Sequence, residues 1–295
     1  MNIIYSNSTQ STRFHEGPVP YLTFPLLSEY TWLRHGFSTR LGGVSEGIYA
    51  SMNLGFSRGD DPEAVRENFR RIGSALHILP EQMVKTDQTH TTNVMYIDEA
   101  CCGMGILRER SFHDIDGFIT DRPGVALVTS FADCVPVFLV DPVHHAIGSV
   151  HSGWRGTVGR ISEKAVAAMP GRFGTRPADL VAFIGPSICR SCYEISEEVA
   201  EKFAESYGDE VFRGILTPEP ADRLLPYDPV TNAVPGHYLL DLWKANEANL
   251  LHAGLNPEHI GITDLCTCCN PALLHSHRAT KGQRGTLCGF LMIEE

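Results

Sequence analysis

Apolar residues along this chain follow two rhythms, and each predicts a kind of element. Val65, Phe69, Ile72 and Leu76 stand three or four apart behind Asp61-Pro62, an acidic capping residue followed by proline at the first helical position. That spacing predicts an amphipathic helix laid on a core. Helices are also expected over 156–169, 196–207 and 238–253. Short apolar runs rich in β-branched residues predict strands over 93–97, 116–120, 125–131, 180–184, 259–263 and 285–293. Strands joined by tight turns, with helices in blocks, favour an α+β fold: a single layered domain with mixed β-sheets flanked by helices. Residues 1–33 are weakly patterned and read as a variable N-terminal segment packed on or preceding the core. Residues 34–295 read as a single catalytic domain, with the Pro-rich stretch 217–235 as an excursion loop.

The most informative apolar stretch runs from Cys134 to His151. Asp141-Pro142 initiates a turn between two arms rich in valine and isoleucine, so the stretch predicts a hairpin. A loop of residues 141–144 sets Val140 against His145, Phe138 against Ile147 and Cys134 against His151. Directly opposed side chains on a hairpin lie roughly 5 Å apart. That separation suits a thiolate and an imidazole sharing a metal ion or a proton.

Composition narrows the class. The chain has 295 residues, 43% of them hydrophobic, and a net charge of −11 with both signs mixed along it. Nucleic acid and anionic membrane surfaces are therefore not expected partners, although a local arginine cluster can still hold a small anion. No secretory signal and no apolar run near ~18 residues is visible, so a cytoplasmic protein is expected. Nine cysteines, an odd number in a long chain, read as thiols or ligands rather than a disulfide framework. No Gly-x-Gly-x-x-Gly follows a strand and no P-loop pattern occurs, which sets aside dinucleotide and P-loop nucleotide sites.

Cys134 follows a strand beside Asp133. A buried packing cysteine is the plain reading, but His151 opens the loop His151-Ser-Gly-Trp-Arg-Gly156, in which Arg155 offers an anion contact. His90, in Lys85-Thr-Asp-Gln-Thr-His90, completes a His2Cys set. Three protein ligands with a vacant fourth position form the pattern of catalytic zinc, and copper accepts the same donors. Arg40, Arg155 and Arg278 sit in turns of Gly, Ser and His, where they suit phosphate or carboxylate. Asn53 and Asp116 are further candidates for polar contacts, Asp116 chiefly as a turn cap. Cys189-Arg-Ser-Cys192 and Cys266-Thr-Cys268-Cys269 are packing residues by default; a structural zinc site is the alternative, against which the Cys-x-Cys-Cys spacing is irregular.

These residues fall in a recognisable order. His35-Gly-Phe-Ser-Thr-Arg40-x-Gly-Gly-Val-Ser45, Gln88-x-His90, Asp116-Gly-x-x-Thr120, Ala132-Asp-Cys134-x-Pro136, His151-x-Gly-Trp-Arg-Gly156, Ile184-Gly-Pro186, Cys192-Tyr-Glu194 and Ser276-His277-Arg278 follow one another. From about residue 33 onward the chain resembles the YfiH-like family, also called the multicopper polyphenol oxidoreductase (laccase) family. The resemblance implies one α+β domain of layered sheets. It also implies a metal site on His90, Cys134 and His151, with zinc the usual assignment and copper the earlier one. It further implies phosphorolysis of adenosine, inosine and guanosine, methylthioadenosine phosphorolysis and adenosine deamination. Purine nucleosides and phosphate are the implied partners, with Arg40 and Arg278 at the family's arginine positions. Ser152 departs from the alanine common there.

Three rivals remain on sequence grounds. Copper-dependent phenol oxidation needs clustered histidines, and among 13 histidines only His144-His145 and His275-x-His277 cluster locally. A cysteine hydrolase would use Cys134 as nucleophile and His151 as base, on an amide such as a cell-wall precursor. A metal-sequestering protein would have no use for an anion pocket.

Overall fold

The computed structural model describes residues 2–208, 214–218 and 237–294. Its strands are β1 (Arg13–His15), β2 (Tyr21–Thr23), β3 (Leu33–Ser38), β4 (Met83–Lys85), β5 (Val94–Tyr96), β6 (Gly117–Thr120), β7 (Ala126–Phe131) and β8 (Val135–Asp141). They continue as β9 (Ala146–Ser152), β10 (Val181–Ile184), β11 (Glu194–Ser196), β12 (Leu216–Pro218), β13 (His237–Leu240), β14 (Ile260–Ile262) and β15 (Leu287–Ile293). The helices are α1 (Pro25–Ser28), α2 (Pro62–Leu76), α3 (Trp154–Val158), α4 (Ile161–Phe173), α5 (Glu197–Tyr207) and α6 (Leu242–His252).

Two six-stranded mixed sheets face each other, in the orders β1-β2-β3-β15-β7-β4 and β14-β10-β8-β9-β6-β5, and β11-β13-β12 form a third, smaller sheet. Phe37, Phe131 and Leu287 of the first sheet meet Phe138, Val140 and Phe183 of the second in a buried layer. Phe24 stacks on Phe183 there, with ring centroids 4.1 Å apart. The outer face of the first sheet packs on α2 through Val65, Phe69, Ile72 and Leu76, the stripe that the helical spacing predicted. The outer face of the second packs on α4, α5 and α6. The α+β class expected from the sequence is thus realised as helix, sheet, sheet, helix. Every residue of β8 and β9 is buried. That two-sided burial is why both arms read as continuous apolar runs.

The structure corrects several sequence expectations. The hairpin turn is Pro142 to His145, one residue later than expected, because Asp141 closes the strand and its Oδ1 accepts the N–H groups of Val143 and His144. Val140 therefore pairs with Ile147, and His151 pairs with Pro136 rather than Cys134. The shift moves each partner by two residues, so Cys134 and His151 stay on one face as diagonal neighbours; a slip of one would have separated them. The helix expected over 156–169 divides into α3 and α4, with Arg160 between them in the left-handed region at φ 58°. The helix expected over 238–253 begins as β13, and Asp241 caps α6 by accepting the Lys244 N–H. Residues before 33 contribute β1 and β2, which join the first sheet through β3. Of the loop expected over 217–235, Thr217 and Pro218 lie in β12; the remainder lies outside the described residues.

Two buried histidines tie this architecture to pH. His35 of β3 is 7% exposed, and its Nε2 accepts the Phe24 N–H at 3.0 Å. Burial depresses its pKa to about 4, and burial likewise brings His275 to about 3. Each ring is neutral in the folded chain and protonates near 6.5 when unfolded. Their stabilisation is full above 6.5 and is lost as pH falls towards 4, by ~1.4 kcal/mol per pH unit for each ring. Urea midpoints measured from pH 7 to 4.5 should fall along that slope, and His35→Gln should flatten it by about one proton.

Candidate metal centre and cavity

The centre begins with a carboxylate at the start of β6. Asp116 is fully buried. It accepts the backbone N–H groups of Thr89, His90 and Thr91 at 3.1, 3.1 and 2.9 Å. It also takes the Thr91 hydroxyl at 2.9 Å and His151 Nδ1 at 2.7 Å. Three successive N–H groups converging on one anion form a nest, which holds His90 at the left-handed φ of 66°. Burial pushes the Asp116 pKa up, but the hydrogen bond and charge of His151, with the nest, outweigh it and hold the carboxyl below its usual value. The sequence reading gave this residue chiefly a turn-capping role; the structure makes it the group that orients two of the three candidate ligands. The missed signal was its position on a strand bordering the one that carries His151.

With Nδ1 engaged, His151 presents its other nitrogen to Cys134 and His90. One ligand atom from each of His90, Cys134 and His151 lies within 4.8 Å of the others. The two imidazole rings stand edge to face with centroids 4.9 Å apart. Gly153 leaves the necessary room, since a Cβ there would lie 2.9 Å from Cys134 Sγ and 3.2 Å from His90 Cδ2. Cys134 is aimed by Asp133, which adopts φ 83° and accepts Thr267 Oγ1 and the Arg278 N–H, each at 2.6 Å. Burial raises the Cys134 thiol and lowers the His151 imidazole, but the mutual charge of the pair wins. The thiol comes down to about 6 and the imidazole rises to about 9. A polarised sulfur, two imidazoles and a carboxylate behind one of them match the donor chemistry of a three-ligand zinc or copper site.

The cluster opens on a cavity of about 250 Å³ whose lining includes Lys85, Asp87, Arg58, Arg110 and Arg284. Arg110 Nη1 pairs with Asp87 Oδ1 at 3.4 Å, so those charges offset each other. Arg284 donates to the Gly285 carbonyl at 3.0 Å, and its buried Nε has no partner. Burial, then the charge of Arg58, lower its pKa to about 10. Lys85 is 7% exposed, and burial lowers its pKa too. The cavity therefore carries uncompensated positive charge beside the three candidate ligands.

The other candidates lie elsewhere. Arg40 donates from Nε and Nη2 to the Ala50 carbonyl and from Nη1 to the Pro271 carbonyl, and it is not part of the cavity lining. Asn53, fully buried, binds the Gly55 backbone, the Thr286 N–H and Asp60, and stands behind the lining instead of in it. Arg155 stacks over Trp154 at 4.2 Å. Arg278 donates to the Glu194 carbonyl at 2.7 Å and lies 5.4 Å from the Tyr193 ring centroid. Neither lines the cavity. Sequence reasoning did not single out Lys85 or Arg58 and set Arg284 aside because the tail 279–285 is irregular; the three come from separate segments and share no local motif.

Known proteins resemble this chain along most of its length. Residues 34–294 match the family model described as multi-copper polyphenol oxidoreductase laccase. A purine nucleoside phosphorylase of Bacteroides thetaiotaomicron is 34% identical over 275 residues, which is 93% of this chain and 96% of that protein. Purine nucleoside phosphorylase YlmD of Geobacillus stearothermophilus is 35% identical over 257 residues, 87% of this chain and 88% of that one. The crystal structure of Bacillus licheniformis hypothetical protein YfiH superposes with a TM-score of 0.84 at 30% identity, covering 95% of this chain and 99% of that one.

Two substitutions probe the centre. Asp116→Asn should weaken metal binding by about 10–100-fold, as loss of an outer partner does at such sites. Gly153→Ala should weaken it by crowding Cys134. Competitive titration against a chelating dye measures both, and unchanged affinity in both variants would break the assignment.

Proposed function

Since the chain belongs to the multi-copper polyphenol oxidoreductase laccase family, we propose that it is a purine nucleoside phosphorylase built around a His2Cys zinc site, with adenosine deaminase and methylthioadenosine phosphorylase activity in the same cavity. His90, Cys134 and His151 are the proposed ligands and catalytic residues. One observation carries the reading: a three-ligand donor set and an unpaired cationic wall share one cavity. Phosphorolysis needs an anion-binding wall to place the phosphate, and hydrolytic deamination needs a centre that activates water. The relatives' printed activity supports the same reading.

In phosphorolysis a phosphate oxygen bonds to the anomeric carbon as the bond to the purine nitrogen breaks, and the electron pair leaves with the base. Arg284 and Lys85 hold and neutralise the phosphate inside the cavity, and Arg58 draws it in from the rim. Asp116 fixes the His151 ring so that one nitrogen faces inward. His90, Cys134 and His151 would hold the zinc ion, which would supply Lewis-acid polarisation to the cavity beside them. Deamination of adenosine would instead turn the purine C6 towards His90, Cys134 and His151, with water adding at C6 and the amino group leaving as ammonia. Arg155 and Arg278 stand by Tyr193 outside the cavity lining, and they are proposed to contact the part of the nucleoside that projects beyond the cavity.

Copper-dependent phenol oxidation has less support. Among the described residues the one further group able to hold a metal consists of cysteines alone. A cysteine hydrolase has one specific observation in its favour, because Cys134, His151 and Asp116 reproduce a nucleophile, its base and the group orienting the base. Hydrolysis of that kind would survive chelation and stop on alkylation.

Incubation of zinc-loaded protein with adenosine and phosphate should yield adenine and ribose 1-phosphate, with inosine and hypoxanthine reporting deamination. Cys134→Ala should reduce all of these at least ~100-fold. Arg284→Met should raise KM for phosphate about 10-fold or more while leaving nucleoside KM within about 2-fold, the loss of one charged hydrogen bond. Full turnover by the Cys134 variant would refute the proposal.

A further inference from the structure

A second cluster of sulfur lies outside this cavity. Four cysteines, Cys189, Cys192, Cys266 and Cys269, place their Sγ atoms within 4.8 Å of one another. They come from two segments 77 residues apart. The parallel pairing of β10 with β14 sets those segments side by side, and a bridge between Ser187 and Cys266 continues the alignment beyond both strands. Each segment then contributes a Cys-x-x-Cys. The spacing Cys-x-Cys-Cys looked irregular in sequence because Cys268 intervenes. Cys268, although buried in the same apolar cluster as Cys189, Cys192 and Cys266, is absent from the group of four. The working pairs are thus Cys189 with Cys192 and Cys266 with Cys269.

The local backbone is shaped for anionic sulfur. Residues 190–192 form a 3-10 turn, closed by the Cys192 N–H donating to the Cys189 carbonyl at 3.0 Å. Cys266 Sγ accepts the N–H groups of Cys189 and Cys269 at 3.2 and 3.4 Å. Donation of amide hydrogens to sulfur stabilises a thiolate far more than a thiol. Cys192 Sγ and Cys269 Sγ stand 3.5 Å apart, well beyond a disulfide bond of about 2.05 Å. A tetrahedron with zinc–sulfur bonds of about 2.3 Å has edges of about 3.8 Å, which is the scale of this cluster. Packing alone gives no reason for four sulfurs and two directed N–H groups to converge.

We propose that these four cysteines bind a structural zinc ion in a closed all-thiolate site. Four protein sulfurs leave no position for substrate, so the ion acts on the fold and not on the chemistry. Both halves of the site also hold Asp133. Ile188, next to Cys189, donates its N–H to the Asp133 carbonyl at 3.0 Å. Thr267, inside the second Cys-x-x-Cys, donates its hydroxyl to the Asp133 carboxylate at 2.6 Å. Asp133 precedes Cys134 directly. The zinc therefore pins the two segments that position the Cys134 loop, and its loss loosens that loop.

Metal content tests this independently of turnover, in a background lacking the Cys134 ligand. Full-length Cys134→Ala protein, washed with a mild chelator, should retain about one zinc per chain by mass spectrometry of the metal, and adding Cys192→Ser should lower that about tenfold or more. Should the double variant fail to fold, cobalt exchanged into the Cys134→Ala protein should show sulfur-to-cobalt charge-transfer absorption and tetrahedral d–d bands. Alkylation of Cys189 and Cys192 should accelerate only after strong chelation. Zinc-free Cys134→Ala protein, iron with inorganic sulfide, a disulfide within the four, or alkylation indifferent to chelation would each overturn the site.

Discussion

The Asp116 carboxylate is buried without a cation of fixed charge beside it, and it is stabilised by five donors from two parts of the chain. Four come from the loop 89–91 and one from His151. A buried anion is tolerated only when its lone pairs are filled, and removing one partner leaves the rest of the cost in place. The loop and the imidazole are therefore held to the same point, and His90 and His151 cannot drift apart without exposing that cost. The third donor, Cys134, reaches the same point because β8 and β9 fix it on the His151 face of the sheet.

The sheets supply the rigidity that this arrangement needs. β8 and β9 are covered by apolar side chains on both faces, one set meeting the first sheet and the other meeting the helices. Sliding either strand would disturb two packed layers at once. The polar machinery then occupies the ends of these strands, where the loops of Asp133, Gly153 and residues 89–91 approach one another. Glycine at 153 is required by space rather than by backbone angle, since its φ is −67° and a side chain there would strike the sulfur.

Charge is arranged with the same economy of position. The protein as a whole is acidic, with a net charge of −11, yet the cavity beside the ligands concentrates Arg284, Lys85 and Arg58. Placing cations without carboxylate partners in a low-dielectric recess is unfavourable, as the depressed pKa values of Arg284 and Lys85 record. An anionic ligand relieves that tension. Arg40 shows the opposite fate for a guanidinium, with its donors spent on backbone carbonyls.

Much was legible in the residues alone. The helical stripe from Val65 to Leu76, the apolar arms of the hairpin, the α+β class and the trio of His90, Cys134 and His151 all follow from local pattern and donor chemistry. Burial and periodicity write the stripe and the arms into neighbouring positions, while the trio was legible only as donor types, its convergence being a property of the fold. The hairpin register was not legible, because it depended on whether Asp141 closed the strand or opened the turn. Nor was the strand β13, whose partners β11 and β12 lie in other segments. The central role of Asp116, the cationic wall of Arg284, Lys85 and Arg58, and the pairing of Cys266 with Cys269 across Cys268 are likewise properties of the fold. Each joins residues that are distant along the chain or that point to different faces, and only packed sheets decide which of them meet.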